Sequence, residues 1–262
     1  LHRWLPAAMV APTPVSALLH AVAVVKAGVF TMLKVGVYIF GIDFLAESGA
    51  SQWLIWLAAI SIILASLFAL MQNNLKKRLA YSTVSQLSYV TLAMALATPM
   101  AAMGGGMQIA MHAFGKIALF MCAGAIYVVT KKTDVSELSG LGRKMPITFI
   151  IFAIASFSII GLPPFGGSWP KFLLILGAVD TGYFSIIAVL MISSLLNVAY
   201  LLPIVGRGFF VKSKDGLDLK LIHEAPLLCW LPAAIAAGTC LLLFFYAGLI
   251  QDFLRPFAQG SI

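Results

Sequence analysis

Long, almost uncharged segments recur along this 262-residue chain and restrict its fold more than any other feature. A transmembrane helix needs about 20 consecutive, mainly apolar residues to cross the hydrocarbon core of a bilayer. We predict seven spans, at residues 15–40, 52–71, 79–98, 105–130, 146–179, 183–205 and 227–250. The sequence therefore predicts an all-α, polytopic membrane protein in which the span 146–179 is broken.

The composition excludes a soluble globular domain. Hydrophobic residues make up 61% of the chain and charged residues only 10%, whereas soluble domains average about 45–50% and about 25%. The three cysteines lie in apolar segments without CxxC spacing, which favours buried thiols over a disulfide framework. No motif for a nucleotide, flavin, haem or iron–sulfur cluster occurs, so we predict neither a cofactor nor a metal.

The distribution of basic residues predicts the orientation of the spans. If the segment before the first span is cytoplasmic and the sides alternate, twelve of the 17 basic residues fall in cytoplasmic segments. Basic residues gather on that side of membrane proteins. The net charge of +8 therefore indicates orientation and a bilayer rather than nucleic-acid binding. The same asymmetry requires the segment 146–179 to cross once, as one interrupted span.

Three lysines near the middle of predicted spans, Lys26, Lys116 and Lys171, are the first candidates for function. A lysine at the bilayer centre costs about 2.5–3.5 kcal/mol on insertion scales. A buried lysine also exchanges its proton more readily near neutral pH than a solvated one does. We interpret the three as a proton relay. The alternative is that each pairs with a carboxylate or a backbone carbonyl to fix helix packing.

The span 105–130 carries polar side chains on one helical face. Gln108, His112 and Lys116 follow one another at a spacing of four residues. Because histidine titrates closest to physiological pH, this face suits a water-assisted proton path; a polar stripe that binds neighbouring helices is the alternative. His20 lies six residues before Lys26 and points elsewhere, so we expect it to support the path or to cap a packing contact.

The segment from Gly161 to Lys171 cannot form a regular helix. It contains three prolines and three glycines, including Pro163 and Pro164, and proline removes a backbone donor and clashes with the preceding turn. Unwound backbone at membrane depth persists only where protein or water satisfies it, and broken helices mark ion sites in transporters. We predict an ion path at this break, with Lys171 just past it; a surface loop is the alternative.

Five motifs together resemble one known family. They are residues 4–9 (WLPAAM), 11–20 (APTPVSALLH), 75–86 (LKKRLAYSTVSQ), 112–116 (HAFGK) and 161–164 (GLPP), the last leading to Lys171. In order and spacing they are similar to the proton-translocating antiporter-like subunits of respiratory complex I, membrane-bound hydrogenases and Mrp cation/proton antiporters. Residues 25–30 (VKAGVF) resemble the Mrp D subunit most.

The resemblance implies roles for the candidate residues. Lys26 and His112 with Lys116 would form the central hydrophilic axis, and Lys171 would exchange protons with one side of the membrane. It also implies that the chain is the C-terminal half of such a protein and holds the second of two inverted repeats. Residues 1–14 would then be the end of a preceding broken helix and a loop, and residues 15–262 the transmembrane domain. The glutamate–lysine pair of the family's first repeat has no counterpart in the matched residues.

These features lead to one functional hypothesis and two alternatives. We expect a proton-conducting subunit of a multisubunit Na⁺(K⁺)/H⁺ antiporter in a prokaryotic plasma membrane, with other membrane subunits as partners. The first alternative is a non-redox, proton-pumping subunit of an NADH–quinone oxidoreductase or a membrane-bound hydrogenase. The second is a structural scaffold with vestigial lysines.

Overall fold

The structure, a computed structural model, describes residues 4–18, 23–212 and 223–259. Within these ranges the chain contains no β-strand, so the predicted all-α class is confirmed. The α-helices are α1 (Trp4–Ala7), α2 (Thr13–Leu18), α3 (Val24–Lys34), α4 (Ile42–Ser48), α5 (Gln52–Met71), α6 (Leu75–Ala95), α7 (Pro99–Thr130), α8 (Pro146–Ile160), α9 (Ser168–Asp180), α10 (Phe184–Phe210), α11 (Leu227–Phe245) and α12 (Ala247–Ala258). A π-helical segment, Val35–Phe40, continues α3.

Four of the described helices, α5, α7, α10 and α11, are long and apolar enough to cross a membrane. The segment Val24–Phe40 and α4 meet the same criterion together, although they meet at an angle of 81°. The bend occurs at Gly41, whose φ of +83° is one that side-chain-bearing residues rarely adopt. A polytopic membrane protein is thereby confirmed. The count of seven crossings stays a prediction, because α6, α8 and α9 fall outside this set.

The helix α6 is polar because it lies inside the bundle. Fourteen of its 21 residues are buried, including Ser82, Ser85 and Gln86. It packs between α5 and α7 and also contacts α3. A helix that neighbouring helices shield from lipid does not need an apolar surface on every side. At 1.5 Å per residue its length is about 30 Å, which matches the thickness of the hydrocarbon core.

The helix α7 is the centre of the packing. It contacts α6, α8, α9 and α11, and small residues let these neighbours approach closely. A Cβ atom at Gly105 would lie only 2.7 Å from the Cβ of Ala93 on α6, and one at Gly115 would lie 2.9 Å from the side chain of Ile159 on α8. Such small-residue contacts are typical of helix packing in membranes.

The basic loops lie together at one end of the bundle. The backbone of Leu75 donates to the carbonyl of Thr133, and the backbone of Gly140 donates to that of Arg207. These two hydrogen bonds join the start of α6, the loop after α7 and the end of α10. At the opposite end, Ser51 Oγ donates to the carbonyl of Ala95 over 2.7 Å.

The broken segment runs once through the bundle. The helix α8 begins at the basic end, where Thr148 on its first turn donates to the Glu224 carboxylate. The helix α9 finishes at the opposite end, where Gly177 packs against Thr98 in the turn between α6 and α7. The two helices therefore run in succession rather than as a hairpin.

Two helices begin earlier than the predicted spans, at Leu75 instead of residue 79 and at Pro99 instead of residue 105. In each case a capping side chain fixes the start: Asn74 accepts from the backbone of Lys77, and Thr98 accepts from that of Ala101. Caps of this type satisfy free N–H groups in the first turn. They extend a helix beyond the apolar segment from which its span is predicted.

Candidate functional site

The three predicted lysines are all inside the bundle and on different helices. Lys26 on α3 is 5% exposed, Lys116 on α7 is fully buried and Lys171 on α9 is 7% exposed. Each donates a hydrogen bond to a backbone carbonyl, on Ile109, Leu79 and Ile160 respectively. Within the described ranges, none of the three has a carboxylate within ion-pair distance. The carbonyl partner anticipated by the packing alternative is therefore present, and the carboxylate partner is not among these residues.

Lys116 connects α7 to α6 and, through it, to α10. Its ammonium donates to Ser82 Oγ over 2.7 Å, in addition to the Leu79 carbonyl at 3.0 Å. The hydroxyl of Tyr200 lies 2.9 Å from the same Ser82 oxygen and also contacts the side-chain carbonyl of Asn197. A phenol has one proton and can donate to only one of these oxygens at a time, so the cluster has two hydrogen-bond arrangements.

Lys171 lies at the break between α8 and α9. Its ammonium donates to the carbonyl of Ile160, the last residue of α8, over 2.6 Å and to Ser194 Oγ on α10 over 3.0 Å. It also lies 5.5 Å from the centre of the Tyr89 ring. The carbonyl end of a helix and the face of an aromatic ring both attract a positive charge.

Glycines at the break make room for this arrangement. Gly161 ends α8 with a φ of +88°, and a Cβ atom there would lie 2.8 Å from Lys171 Cδ. A Cβ atom at Gly167 would lie 1.8 Å from the carbonyl oxygen of Ser158. Pro163 and Pro164, joined by a cis bond, are on the exposed side of the break. The backbone N–H of Gly166 donates to Cys240 on α11 over 2.8 Å.

Gln108 and His112 have different partners from Lys116, although all three share one face of α7. Gln108 Nε2 donates to Gln86 Oε1 on α6 over 2.8 Å. His112 lies within electrostatic range of both Lys26 and Lys116, and neither of its ring nitrogens has a hydrogen bond. It faces a gap whose opposite side is formed by Ser158 and Gly167. This gap is too narrow for a water molecule.

The structure thus brings together most, but not all, of the predicted site residues. Lys26 donates to the carbonyl of Ile109, so it lies beside the part of α7 that carries Gln108, His112 and Lys116. Lys171 lies apart from them, at the break between α8 and α9. His20 lies outside the described residues. The roles of all these residues, and of Pro163 and Pro164, stay predictions.

Sequence reasoning missed the contribution of α10. Ser194 contacts Lys171, and Tyr200 contacts the partner of Lys116. The sequence does contain a signal, because Ser193, Asn197 and Tyr200 recur at intervals of four and three in an otherwise apolar helix. A single buried amide taken alone indicates only packing.

Comparison with known proteins identifies the family. Residues 1–197 match the model of the family described as NADH:quinone oxidoreductase/Mrp antiporter, TM. The chain belongs to this family. The family covers antiporter-like subunits of both complex types, so the resemblance predicted from the five motifs is confirmed.

Relatives from both branches of the NADH:quinone oxidoreductase/Mrp antiporter family align with nearly the whole chain. NADH-quinone oxidoreductase subunit L of Rickettsia bellii (strain RML369-C) is 34% identical over 97% of this chain and 38% of its own length. The A/B subunit of a probable K(+)/H(+) antiporter of Rhizobium meliloti (strain 1021) is 34% identical over 100% of this chain and 26% of its own length.

A solved structure supports the fold. A chain in the Mrp complex from Dietzia sp. DQ12-45-1b superposes with a TM-score of 0.84 at 22% identity, over 98% of this chain and 54% of that one. The chain thus spans about half of this structure and well under half of the two relatives.

Proposed function

We propose that this chain is a proton-conducting membrane subunit of a multisubunit monovalent cation/proton antiporter. In this proposal Lys26, Lys116 and Lys171 exchange protons, and His112 connects the first two. The observation that carries it is the set of three buried lysines on three helices, each held by a carbonyl and none by a carboxylate within the described ranges. Other membrane subunits would be its partners, in the lipid bilayer of a prokaryotic plasma membrane.

The partners of Lys116 and Lys171 suit a group that changes its protonation state. Each ammonium donates to one carbonyl and one serine hydroxyl. After losing a proton, a neutral amine still donates to the carbonyl and can accept from the hydroxyl, because a hydroxyl is both donor and acceptor. A carboxylate partner would instead be left as an unpaired buried charge, which is costly. Both protonation states are therefore accommodated.

In the proposed relay, His112 passes protons between Lys26 and Lys116. It lies on α7 one turn from Lys116 and three residues from Ile109, whose carbonyl accepts from Lys26. Its two ring nitrogens make no competing hydrogen bond. A neutral imidazole carries one donor and one acceptor nitrogen, so it can take a proton on one side and release one on the other.

The runner-up function is proton pumping in a redox-driven complex. It is favoured by the relative from Rickettsia bellii, which is named as part of an NADH-quinone oxidoreductase. The lysine relay would then serve a subunit without redox centres of its own. A scaffold role, the third reading, would use the same lysine–carbonyl hydrogen bonds only to fix helix packing.

The relay is tested in proteoliposomes that contain the membrane complex purified with this chain. Lys116→Met retains the length of the side chain and removes its charge, and Lys77→Met makes the same change at an exposed lysine. We expect Lys116→Met to abolish proton movement driven by a Na⁺ or K⁺ gradient, and Lys77→Met to leave it unchanged. Normal coupled transport by an assembled Lys116→Met complex would support the scaffold reading. Proton movement that responds to quinone reduction, but to neither cation, would support the redox complex.

A further inference from the structure

The helix α10 carries a polar face that touches the partners of two lysines. Ser193, Asn197 and Tyr200 are fully buried, and Ser194 is half-buried beside them. The rest of the helix is apolar enough to cross a membrane. Buried polar groups in such a helix are expensive unless they have partners. We refer to Ser193, Ser194, Asn197 and Tyr200, with Ser82 and Tyr89 of α6, as the α10 seam.

One end of the α10 seam begins at Lys116. The ammonium donates to Ser82 Oγ, the Ser82 oxygen contacts the Tyr200 hydroxyl, and Tyr200 contacts the side-chain carbonyl of Asn197. These are three consecutive hydrogen bonds between side chains. They lead from the middle of α7 across α6 to α10.

The other end of the α10 seam begins at Lys171. Its ammonium donates to Ser194 Oγ over 3.0 Å. The Tyr89 hydroxyl is buried beside Ser193 and Ser194 without a hydrogen bond of normal geometry. Ser193 in turn lies 3.3 Å from Ser66 Oγ on α5, which lies 2.8 Å from Ser85 Oγ on α6.

The two ends meet at Ser193 and Asn197, one helical turn apart. Asn197 Nδ2 and the Tyr89 hydroxyl both lack a hydrogen-bond partner although they are buried. Buried polar groups of this kind in proteins are usually satisfied by ordered water. One turn of helix is about 5.4 Å, which a single water molecule can bridge.

We propose that the α10 seam is the lateral proton connection between Lys116 and Lys171. This inference rests on the proposed function and adds the connection from Lys116 to Lys171, for which that proposal names no residues. An N–H proton of Lys116 passes to Ser82 Oγ, Ser82 releases its hydroxyl proton to Tyr200, and Tyr200 releases its own to a water held by Asn197. The water passes a proton through the serine hydroxyls to the neutral amine of Lys171. Each hydroxyl gains one proton and loses one, so none changes its charge.

Asn197 and Tyr200 have different roles in this route. Tyr200 carries the proton, whereas Asn197 is a positioning residue that holds the phenol and the water. The alternative is a purely structural role, in which these polar groups only pack helices together. In that case, removing them should affect assembly and stability, but not the proton step itself.

The test compares two variants with one matched control in the same proteoliposomes. Tyr200→Phe keeps the ring and removes the hydroxyl, and Asn197→Leu keeps the volume and removes the amide. Ser88→Ala removes another α6 hydroxyl, one that bonds only to the carbonyl of its own turn. We expect both seam variants to slow coupled proton movement about tenfold, the rate equivalent of one lost buried hydrogen bond. Ser88→Ala should transport as the unmodified complex does.

A second readout separates a proton step from simple packing. Exchange of the solvent for D₂O should slow both seam variants by a larger factor than it slows the unmodified complex, because proton transfer becomes rate-limiting. If Tyr200→Phe and Asn197→Leu transport normally while Lys116→Met does not, the seam is wrong and the proposed function stands. If Lys116→Met also transports normally, the proposed function is wrong. If the Asn197→Leu complex does not assemble, the transport rate of Tyr200→Phe alone decides whether the seam carries protons.

Discussion

The ammonium of Lys171 caps the carbonyl end of α8, the helix that precedes its own, through a 2.6 Å hydrogen bond to Ile160. A helix end leaves four carbonyls without intrahelical partners, and at membrane depth each needs one. The side chain that we assign to proton exchange is thus also part of the support of the broken helix. Proton exchange at Lys171 and the hydrogen bonding of the break are therefore linked.

The first prediction concerns the charge at this position. Lys171→Ala should abolish coupled proton transport while the complex still assembles. Lys171→Arg should fail as well, because arginine stays protonated at any working pH and cannot release a proton. Proton uptake into proteoliposomes measures both, with Lys77→Arg as the control at an exposed position. Normal transport by Lys171→Arg would mean that a permanent charge suffices.

Two Gly→Ala variants, one at the break and one in the turn after α9, separate the effect of backbone strain from an effect on transport. Gly161 and Gly182 have φ values of +88° and +73°, so Gly→Ala should lower the stability of either variant by about 1–2 kcal/mol. Only at Gly161 would the added methyl group meet a lysine, at 2.8 Å; a Cβ atom at Gly182 meets nothing within 4 Å. Thermal unfolding in detergent should occur at a lower temperature for both variants, lowest for Gly161→Ala because of this added contact, and only Gly161→Ala should lose transport. Equal transport by the two would contradict the importance of the Lys171 position.

His112 offers a test in which function and stability move in opposite directions. It is buried with two ring nitrogens that have no hydrogen bond, so replacing it by an apolar side chain removes an unsatisfied polar group. We expect His112→Leu to leave the thermal midpoint unchanged or higher, and to slow proton transport. The control is Gln108→Leu, which breaks the hydrogen bond to Gln86 and should lower the midpoint. A His112→Leu complex that transports at the normal rate would remove His112 from the relay.

The position of the basic loops predicts their labelling. Lys131→Cys and Lys212→Cys should react with an impermeant thiol reagent from the same face of the membrane, and Gly182→Cys from the opposite face. Native Cys122 and Cys240 are buried, and the partly exposed Cys229 is replaced by serine in each variant. The shared face should be cytoplasmic, because basic residues gather there. Labelling of Lys131→Cys and Lys212→Cys from opposite faces would contradict the single crossing of α8 and α9.

The sequence predicts the individual helices better than the contacts between them. Hydropathy locates α5 and α11 closely because apolar side chains occupy nearly every position of both helices. It places the start of α6 too late, because the cap at Asn74 and the buried Arg78 precede the apolar part of the helix. A helix cap depends on one side chain, so it does not change the hydropathy averaged over twenty residues.

The same limit applies to the candidate site. A spacing of four residues correctly groups His112 and Lys116 on α7, but it says nothing about which helix each one faces. The two side chains turn to different partners, one to the gap beside Ser158 and the other to Ser82. The contacts of Lys171 with Ser194 and Tyr89 join residues far apart in the chain. No periodicity within one helix encodes such contacts.

The hydrogen bond from Gly166 to the Cys240 carbonyl gives the break a mechanical connection to the outside of the bundle. Nine of the 19 residues of α11 are exposed, so a neighbouring protein could press on it directly. A sliding movement of α11 would either break this hydrogen bond or move the unwound segment with it. A displacement of α11 at the rim of the bundle would thereby move the backbone at Gly166, five residues before Lys171.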